Sequence, residues 1–227
     1  MGQYYRGVIL DKKSKNKVVQ CFSCYDYNNG AKLMEHSYVG NYYVKIYEHT
    51  LANEFKGYPF VWGGDYADER HRKNKVNDFV LGREFIEEKL YKYASENGFE
   101  KVINGKYGQD FQKDGVFFDS INILPKIPYE ELPTYKYVIN LTKKMFVKIP
   151  TFNENEWIIH PLPLLCADGN GRGGGDYSGT NMELIGSWAF DNISVANDLP
   201  KDIKKELVVN FVEYGDENVN DYTYIDN

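Results

Sequence analysis

The sequence predicts an α+β domain in which a mostly antiparallel sheet packs with two main helices on one face. Runs of β-forming residues arrive in adjacent pairs, at residues 4–10 and 17–24 and again within residues 135–150. Two longer stretches, residues 28–51 and 77–97, place apolar side chains three and four positions apart, which is helical spacing. Strands that pair with each other, instead of alternating regularly with helices, favour an α+β fold.

The first half of the chain predicts a hairpin, a helix and a glycine turn, in that order. The two N-terminal runs are expected to pair across the polar residues between them. The first helix is expected to take Asn28 or Asn29 as its N-cap and to continue through Gly40. The apolar run YPFVWGG follows, and its Gly63 and Gly64 are interpreted as a turn.

The second half predicts another hairpin, one short helix and a last strand. The hairpin occupies residues 135–150, the helix occupies residues 199–207, and a β run follows at residues 208–214. The acidic tail from about residue 215 to residue 227 is expected to be loose. Because no linker divides the chain, residues 1–227 are predicted to form one domain.

Composition limits the classes of partner. With 227 residues, 42% of them hydrophobic, the chain can bury a sizeable core. Aromatic residues make up 16%, and tyrosine suits half-buried strand faces or contact surfaces. The net charge of −6, without a basic stripe, argues against a nucleic-acid partner but allows a basic protein surface. No apolar run approaches the ~18 residues of a membrane span, and no signal peptide is recognised, so a cytoplasmic protein without membrane contact is expected.

The cysteines predict neither a zinc site nor a disulfide. Cys21 and Cys24 form a C-x-x-C pair, but Cys166 is the only other cysteine, so a second pair of zinc ligands is missing. If residues 17–24 form one strand, Cys21 and Cys24 point to opposite faces. All three are therefore predicted to be ordinary reduced, buried residues, and neither a metal nor a cofactor is predicted.

The most glycine-dense loop of the chain is the main candidate for function. Five glycines occupy seven positions around one arginine, an arrangement that is costly to order unless positive φ or close approach requires it. GNGRGGGD matches neither the P-loop nor a strand, G-x-G-x-x-G, helix unit. Three interpretations of the loop stay open: it contacts an anion, it is a mobile lid, or it is a plain turn between strands. The hypothesis adopted is that the loop contacts a ligand or a partner. Its candidate residues are Gly169, Gly171, Arg172, Gly173, Gly174, Gly175, Asp176 and Tyr177.

Further candidate binding residues lie outside this loop. His160 precedes Pro-Leu-Pro, and Asp65 and Asp68 follow the predicted glycine turn. Together with Asp168 and Asp176 they could supply an acid-base or metal-binding group, although a lone histidine on a β run is more often a hydrogen-bonded structural residue. No G-x-S-x-G, H-E-x-x-H or paired Cys-His signature occurs, so no catalytic residue is assigned.

Three blocks of the sequence carry a resemblance. The segments CYDYNNGAKLMEHSYVGN, PFVWGGDYAD and IHPLPLLCADGNGRGGGDYSG resemble those of a group of small, uncharacterised bacterial and phage proteins, over most of the chain. Each block mixes glycine with aromatic and acidic residues, and the resemblance implies that the blocks converge on one surface. It assigns no catalytic residue.

The leading functional hypothesis is a non-catalytic binding protein, such as a phage or bacterial inhibitor or immunity-type factor that acts on a protein or a small nucleotide. The alternative is an enzyme acting on a nucleotide or ADP-ribosyl-like substrate, with the glycine loop holding phosphate. A third interpretation is an assembly component of a phage or mobile element. Convergence of Asp65, His160, Arg172 and Asp176 in one pocket would favour the enzyme.

Overall fold

The protein has an α+β fold built on a mixed, mostly antiparallel sheet of eight strands. The computed structural model describes residues 3–13, 18–22, 24–64, 100–104, 108–113, 116–118, 127–169 and 174–214. Its strands are β1 (Tyr5–Leu10), β2 (Val18–Cys21), β3 (Tyr58–Gly64), β4 (Glu100–Asn104), β5 (Gly108–Lys113), β6 (Val116–Phe118), β7 (Tyr137–Asn140), β8 (Met145–Lys148), β9 (Ala167–Asp168), β10 (Asn192–Ala196) and β11 (Lys205–Glu206). Its helices are α1 (Leu33–His36), α2 (Tyr42–Ala52) and α3 (Pro161–Leu165), and 3₁₀ turns occur at Tyr25–Tyr27, Tyr129–Glu131 and Met182–Leu184.

Both predicted hairpins are confirmed. In the large sheet the strands follow the order β11, β8, β7, β10, β3, β1, β2, and β9 pairs in addition with β3. The pairs β1 with β2 and β7 with β8 are antiparallel hairpins, whereas β11 with β8 and β9 with β3 are parallel. A second sheet, formed by β4, β5 and β6, is antiparallel. The adjacent β-rich runs of the sequence predicted the pairing within these two hairpins.

The first predicted helix is in fact two helices, α1 and α2, and the chain turns at Gly40 between them. Gly40 has a φ of +82°, in the left-handed region that glycine favours, so the prediction that the helix continues through it is wrong. The N-cap of α2 is Asn41, whose side chain accepts hydrogen bonds from the Tyr43 and Val44 amides. Asn28, with a φ of 54°, closes a 3₁₀ turn instead of starting a helix.

Two main helices on one face are therefore not confirmed. Among the residues that the structure describes, α2 is the only helix longer than five residues. The second predicted helix, residues 77–97, lies outside the described residues. No helix in the described part of the chain is long and apolar enough to cross a membrane.

Three further local predictions are wrong, and in the first two a tertiary contact overrides the local preference. Gly63 and Gly64 are the last residues of β3 and not a turn, since both pair with β1. Residues 199–207 form turns and the strand β11 instead of a helix, because β11 pairs with β8. Residues 208–214 form one isolated bridge, Gly179 to Glu213, instead of a strand.

The core lies between the sheet and the inner face of α2. The rings of Tyr43 and Tyr47 pack edge-on against Trp62 of β3, with centroid distances of 5.5 and 5.0 Å. The three leucines of α3 are fully buried in the same cluster. Cys21, Cys24 and Cys166 are buried, as predicted, although Cys24 lies outside β2, so the strand argument does not apply to it.

Candidate functional site

Two glycines anchor the two ends of the glycine loop. Gly169, after β9, has a φ of +109°, and Gly175 has a φ of +87°. A methyl group at Gly169 would lie 2.4 Å from Gln3 Nε2, and one at Gly175 would lie 2.4 Å from Lys32 Cδ. A methyl group at Gly174, by contrast, would lie within 4 Å of no atom of the described residues. Backbone conformation and close neighbours thus explain why Gly169 and Gly175 are glycines, whereas Gly174 has no such neighbour among the described residues.

The loop leaves the sheet beside the end of β3. Because β9 is parallel to β3, with Ala167 beside Trp62 and Asp168 beside Gly63, both strands end at the same edge of the sheet. The glycine loop follows β9 in sequence, and Asp65 and Asp68 follow β3. Asp65, Asp68, Gly171, Arg172 and Gly173 lie outside the described residues.

A buried amide occupies this edge. Gln3 is fully buried, and its Oε1 accepts a hydrogen bond of 2.9 Å from the Tyr5 hydroxyl. Its Nε2 lies so close to Gly64 and Gly169 that a methyl group on either would be within 2.4 Å of it. Among the described residues this nitrogen has no hydrogen-bond partner. The edge therefore contains a buried amide N–H₂ group between two glycines, a group that donates hydrogen bonds to acceptors such as carbonyl or phosphate oxygens.

The far end of the loop is held by a C-terminal strap, residues 207–214. The Tyr177 side chain is buried, and its hydroxyl lies 2.7 Å from the Thr180 carbonyl oxygen and 3.0 Å from that of Val212. Burial raises the pKa of this phenol. The Gly175 carbonyl accepts a 2.9 Å hydrogen bond from the Met34 amide, and the neighbouring Asp176 is half-buried. The structure thus gives Tyr177 an anchoring position in the core.

His160 lies in the core beneath α2. Its Nδ1 accepts a 3.1 Å hydrogen bond from the Leu162 amide, which caps α3, so its proton is on Nε2. That nitrogen lies 2.9 Å from Glu48 Oε1, in a buried pair. Both ring nitrogens are used, and these contacts support the hydrogen-bonded structural interpretation of His160.

His36 is a second buried histidine with two partners. Trp62 Nε1 donates to His36 Nε2 over 2.9 Å, so the proton is on Nδ1, which lies 3.0 Å from the Gly30 carbonyl oxygen. Burial lowers the pKa of His36 to about 4, since the charged ring would lose its hydration and would place a second proton against the indole N–H. His36 is therefore a neutral structural residue near pH 7.

An exposed aromatic surface surrounds Gly40, and sequence reasoning missed it. Trp157 is 82% exposed and Phe152 is 54% exposed. The Trp157 ring packs edge-on against the Tyr38 ring, with 4.6 Å between the ring centroids. A methyl group at Gly40 would lie 2.5 Å from the Phe152 ring. The Tyr129 hydroxyl donates to the Gly40 carbonyl over 2.9 Å. These contacts place four aromatic side chains around a single turn.

Carboxylates border these rings. Glu154 and Glu156 are exposed in the same segment as Trp157, and Glu130 is exposed beside Tyr129. Burial and the negative charge of Glu213 raise the pKa of Tyr38, so Glu213 lies near that ring as well. We call this set the aromatic-acidic surface; it comprises Tyr38, Tyr129, Glu130, Phe152, Glu154, Glu156, Trp157 and Glu213.

Backbone hydrogen bonds fix the segment that carries Trp157. The Val39 amide donates to the Ile158 carbonyl, and the His160 amide donates to the Ser37 carbonyl, each over 2.9 Å. Tyr38 and Ile159 form an antiparallel bridge. The sequence signal that could have found this surface is a tryptophan directly after the polar run NENE.

The described residues bring together only part of the predicted site. Gly169, Gly174, Gly175 and Asp176 lie at the ends of one loop, whereas His160 is enclosed beneath α2. No group of three or more His, Cys, Asp or Glu side chains that could hold a metal ion occurs within the described ranges. No protein-family model, curated protein or solved structure matches the chain.

Proposed function

We propose that this chain is a non-catalytic binding protein that docks on a partner protein through the aromatic-acidic surface. An inhibitor or immunity-type factor, of the kind that phages and bacteria use, acts in this way, by covering its target. The observation that carries the proposal is Trp157, which is 82% exposed and yet is held on a segment fixed by backbone hydrogen bonds.

Exposed aromatic residues on a fixed backbone are suited to binding a protein. Tryptophan and tyrosine are enriched among the residues that dominate interface energies, because they bury a large area at a small entropic cost. The Trp157 segment is joined to the α1–α2 turn by the bridge between Tyr38 and Ile159. Part of the ordering that binding requires is thereby already present in the free protein.

A nucleotide- or ADP-ribosyl-directed enzyme is the second candidate, and the sheet edge at Gly169 favours it. The Gln3 Nε2 donor and the adjacent ends of β3 and β9 suit an anion held by the glycine loop. The histidine proposed for this chemistry, His160, instead caps α3 and pairs with Glu48. The protein-binding function therefore has the stronger support.

Crosslinking in cells tests the proposal. A photoreactive phenylalanine analogue replaces Phe152 in one variant and Val208 in another; these residues are 54% and 82% exposed. We expect a discrete crosslinked protein from position 152 only, and we expect Trp157→Ala to abolish it. Position 208 controls for non-specific capture because it is an exposed apolar site on the strap.

The opposite pattern would reject the proposal. Crosslinks that form equally from positions 152 and 208, or that persist in Trp157→Ala, would show that the aromatic-acidic surface does not select a partner. In the same cells, loss of activity in Arg172→Ala with unchanged crosslinking would move the functional site to the glycine loop.

A further inference from the structure

We propose that the partner presents a basic segment, in which an arginine or lysine side chain stacks on the indole of Trp157 between the carboxylates of Glu154 and Glu156. This inference rests on the proposed function, because it names the chemistry of the partner at the same surface. Three features support it: the exposed ring of Trp157, the negative charges of Glu154 and Glu156 near it in sequence, and the net negative charge of the whole chain.

The platform is the Trp157 ring. Tyr38 packs edge-on against it, with an interplanar angle of 75°, and 82% of the residue stays exposed. The indole is the aromatic group that binds cations most strongly, and a guanidinium group can stack flat on it. A cation stacked on this ring can keep contact with carboxylates beside it.

Those carboxylates are Glu154 and Glu156. Both are exposed, and neither forms an ion pair with another described residue. A carboxylate next to an aromatic platform can accept two parallel hydrogen bonds from an arginine that stacks there. The side chains of the segment thus offer both contacts that a guanidinium group makes.

The protein already uses the same contact internally on this surface. Lys45 Nζ lies 4.4 Å from the centre of the Tyr129 ring, and it also donates to the Leu132 carbonyl over 3.0 Å. Burial lowers the pKa of Lys45, and Glu48 opposes that shift. One ring of the surface therefore already carries a cation, while Trp157 has none among the described residues.

Overall charge selects the class of partner. The chain carries a net charge of −6, so nucleic acids and anionic membranes are repelled, whereas a basic protein is attracted over long range. A neutral apolar partner would cover the rings but would leave the carboxylates without partners. Charge complementarity therefore favours a basic protein segment.

Tryptophan fluorescence can test this inference on the full chain. Of the three tryptophans, Trp62 and Trp188 are buried, at 0% and 1% exposed, so quenching by acrylamide reports Trp157. The probes are a hexa-arginine peptide and a hexa-citrulline peptide, which has nearly the same shape without the charge. We expect hexa-arginine to protect Trp157 from acrylamide and to bind about tenfold more tightly than hexa-citrulline at physiological salt.

Matched variants separate local recognition from net charge. Glu154→Gln with Glu156→Gln removes two charges at the surface, and Glu183→Gln with Asp198→Asn removes two exposed charges elsewhere. We expect the first pair to weaken hexa-arginine binding about fivefold or more and the second pair to change it less than about twofold. Equal weakening by both pairs, or equal binding of hexa-citrulline, would overturn the inference.

The two proposals fail in different experiments. If crosslinking from position 152 depends on Trp157 but hexa-arginine does not protect the ring, the surface docks a protein and the basic segment is wrong. If crosslinking does not depend on Trp157, the proposed function itself fails.

Discussion

The core and the aromatic-acidic surface both contain residues of the segment 38–47, and their aromatic rings differ in exposure. In the core, the Tyr43 hydroxyl donates to the Phe22 carbonyl over 2.9 Å, and the Tyr47 hydroxyl donates to the Gly7 carbonyl and accepts from the Phe22 amide. At the surface, Trp157 packs against the ring of Tyr38 and is mostly exposed. Tyr43 and Tyr47 thus bind backbone groups from within the core, whereas the Trp157 ring stays mostly exposed.

This difference teaches that aromatic content alone does not indicate a binding surface. Tyr47 is fully buried beside Gly7, where a methyl group would lie 2.5 Å from the ring. Glycine at that position of β1 lets the ring approach the strand, and the hydroxyl then reaches the backbone. Tyr47 therefore serves packing and hydrogen bonding. It is its burial, and not its residue type, that distinguishes it from the exposed Trp157.

The largest expected effect compares two tryptophans. Trp62→Ala should lower the free energy of unfolding by about 3–5 kcal/mol, because it leaves a cavity and removes the donor to His36. Trp157→Ala should lower it by less than about 1 kcal/mol, since Trp157 is 82% exposed and loses little beyond its ring contact with Tyr38 among the described residues. Urea denaturation of both variants gives the comparison; similar losses would contradict the distinction between the two regions.

The second effect is a pH dependence caused by His36. Its pKa of about 4 lies below the usual 6.5, so the unfolded chain binds the proton more readily. Stability should therefore fall as the pH drops below 6.5, with a loss of about 3 kcal/mol complete below the folded pKa.

Comparison of variants isolates this contribution from that of the carboxylates. The unfolding free energy of the wild type should fall more steeply between pH 6.5 and 4 than that of His36→Gln, with His49→Gln as the partly exposed control. Parallel profiles for the wild type and His36→Gln would contradict the account of this buried histidine.

The smallest effect concerns the glycines at the edge of the sheet. Gly64→Ala should cost about 1–3 kcal/mol, because the new methyl group would lie 2.3 Å from the buried Gln3 side chain. Gly174→Ala is the control and should change stability by less than about 0.5 kcal/mol, since the added methyl group would meet none of the described residues within 4 Å.

A double variant checks the cause. If Gln3 is the obstacle, Gly64→Ala should cost less in a Gln3→Ala background than in the wild type. Equal costs in the two backgrounds, measured by urea denaturation, would show that Gly64 is constrained by something other than Gln3.

The sequence was sufficient to predict the elements that are determined by a local pattern of residues. Adjacent β runs predicted the pairs β1 with β2 and β7 with β8, and both form. It was insufficient where a distant partner decides the conformation. Residues 205–206 become a strand because they meet β8, and Gly63 and Gly64 stay in β3 because they pair with β1.

The candidate site was only partly predictable for the same reason. Glycine density marked a real loop, whose ends at Gly169 and Gly175 do have positive φ. The partners that explain those glycines, Gln3 and Lys32, are distant in sequence, so no local pattern reveals them. The segment that carries Trp157 is likewise paired with a residue distant in sequence, through the bridge between Tyr38 and Ile159.

The affinity of Trp157→Ala for the protein captured at position 152 tests the central claim most directly. If the aromatic-acidic surface is the binding surface, this substitution should cost at least about 2 kcal/mol of binding free energy, roughly a thirtyfold rise in Kd, while the melting temperature stays nearly unchanged. A Kd equal to that of the wild type in a folded Trp157→Ala protein would contradict the account.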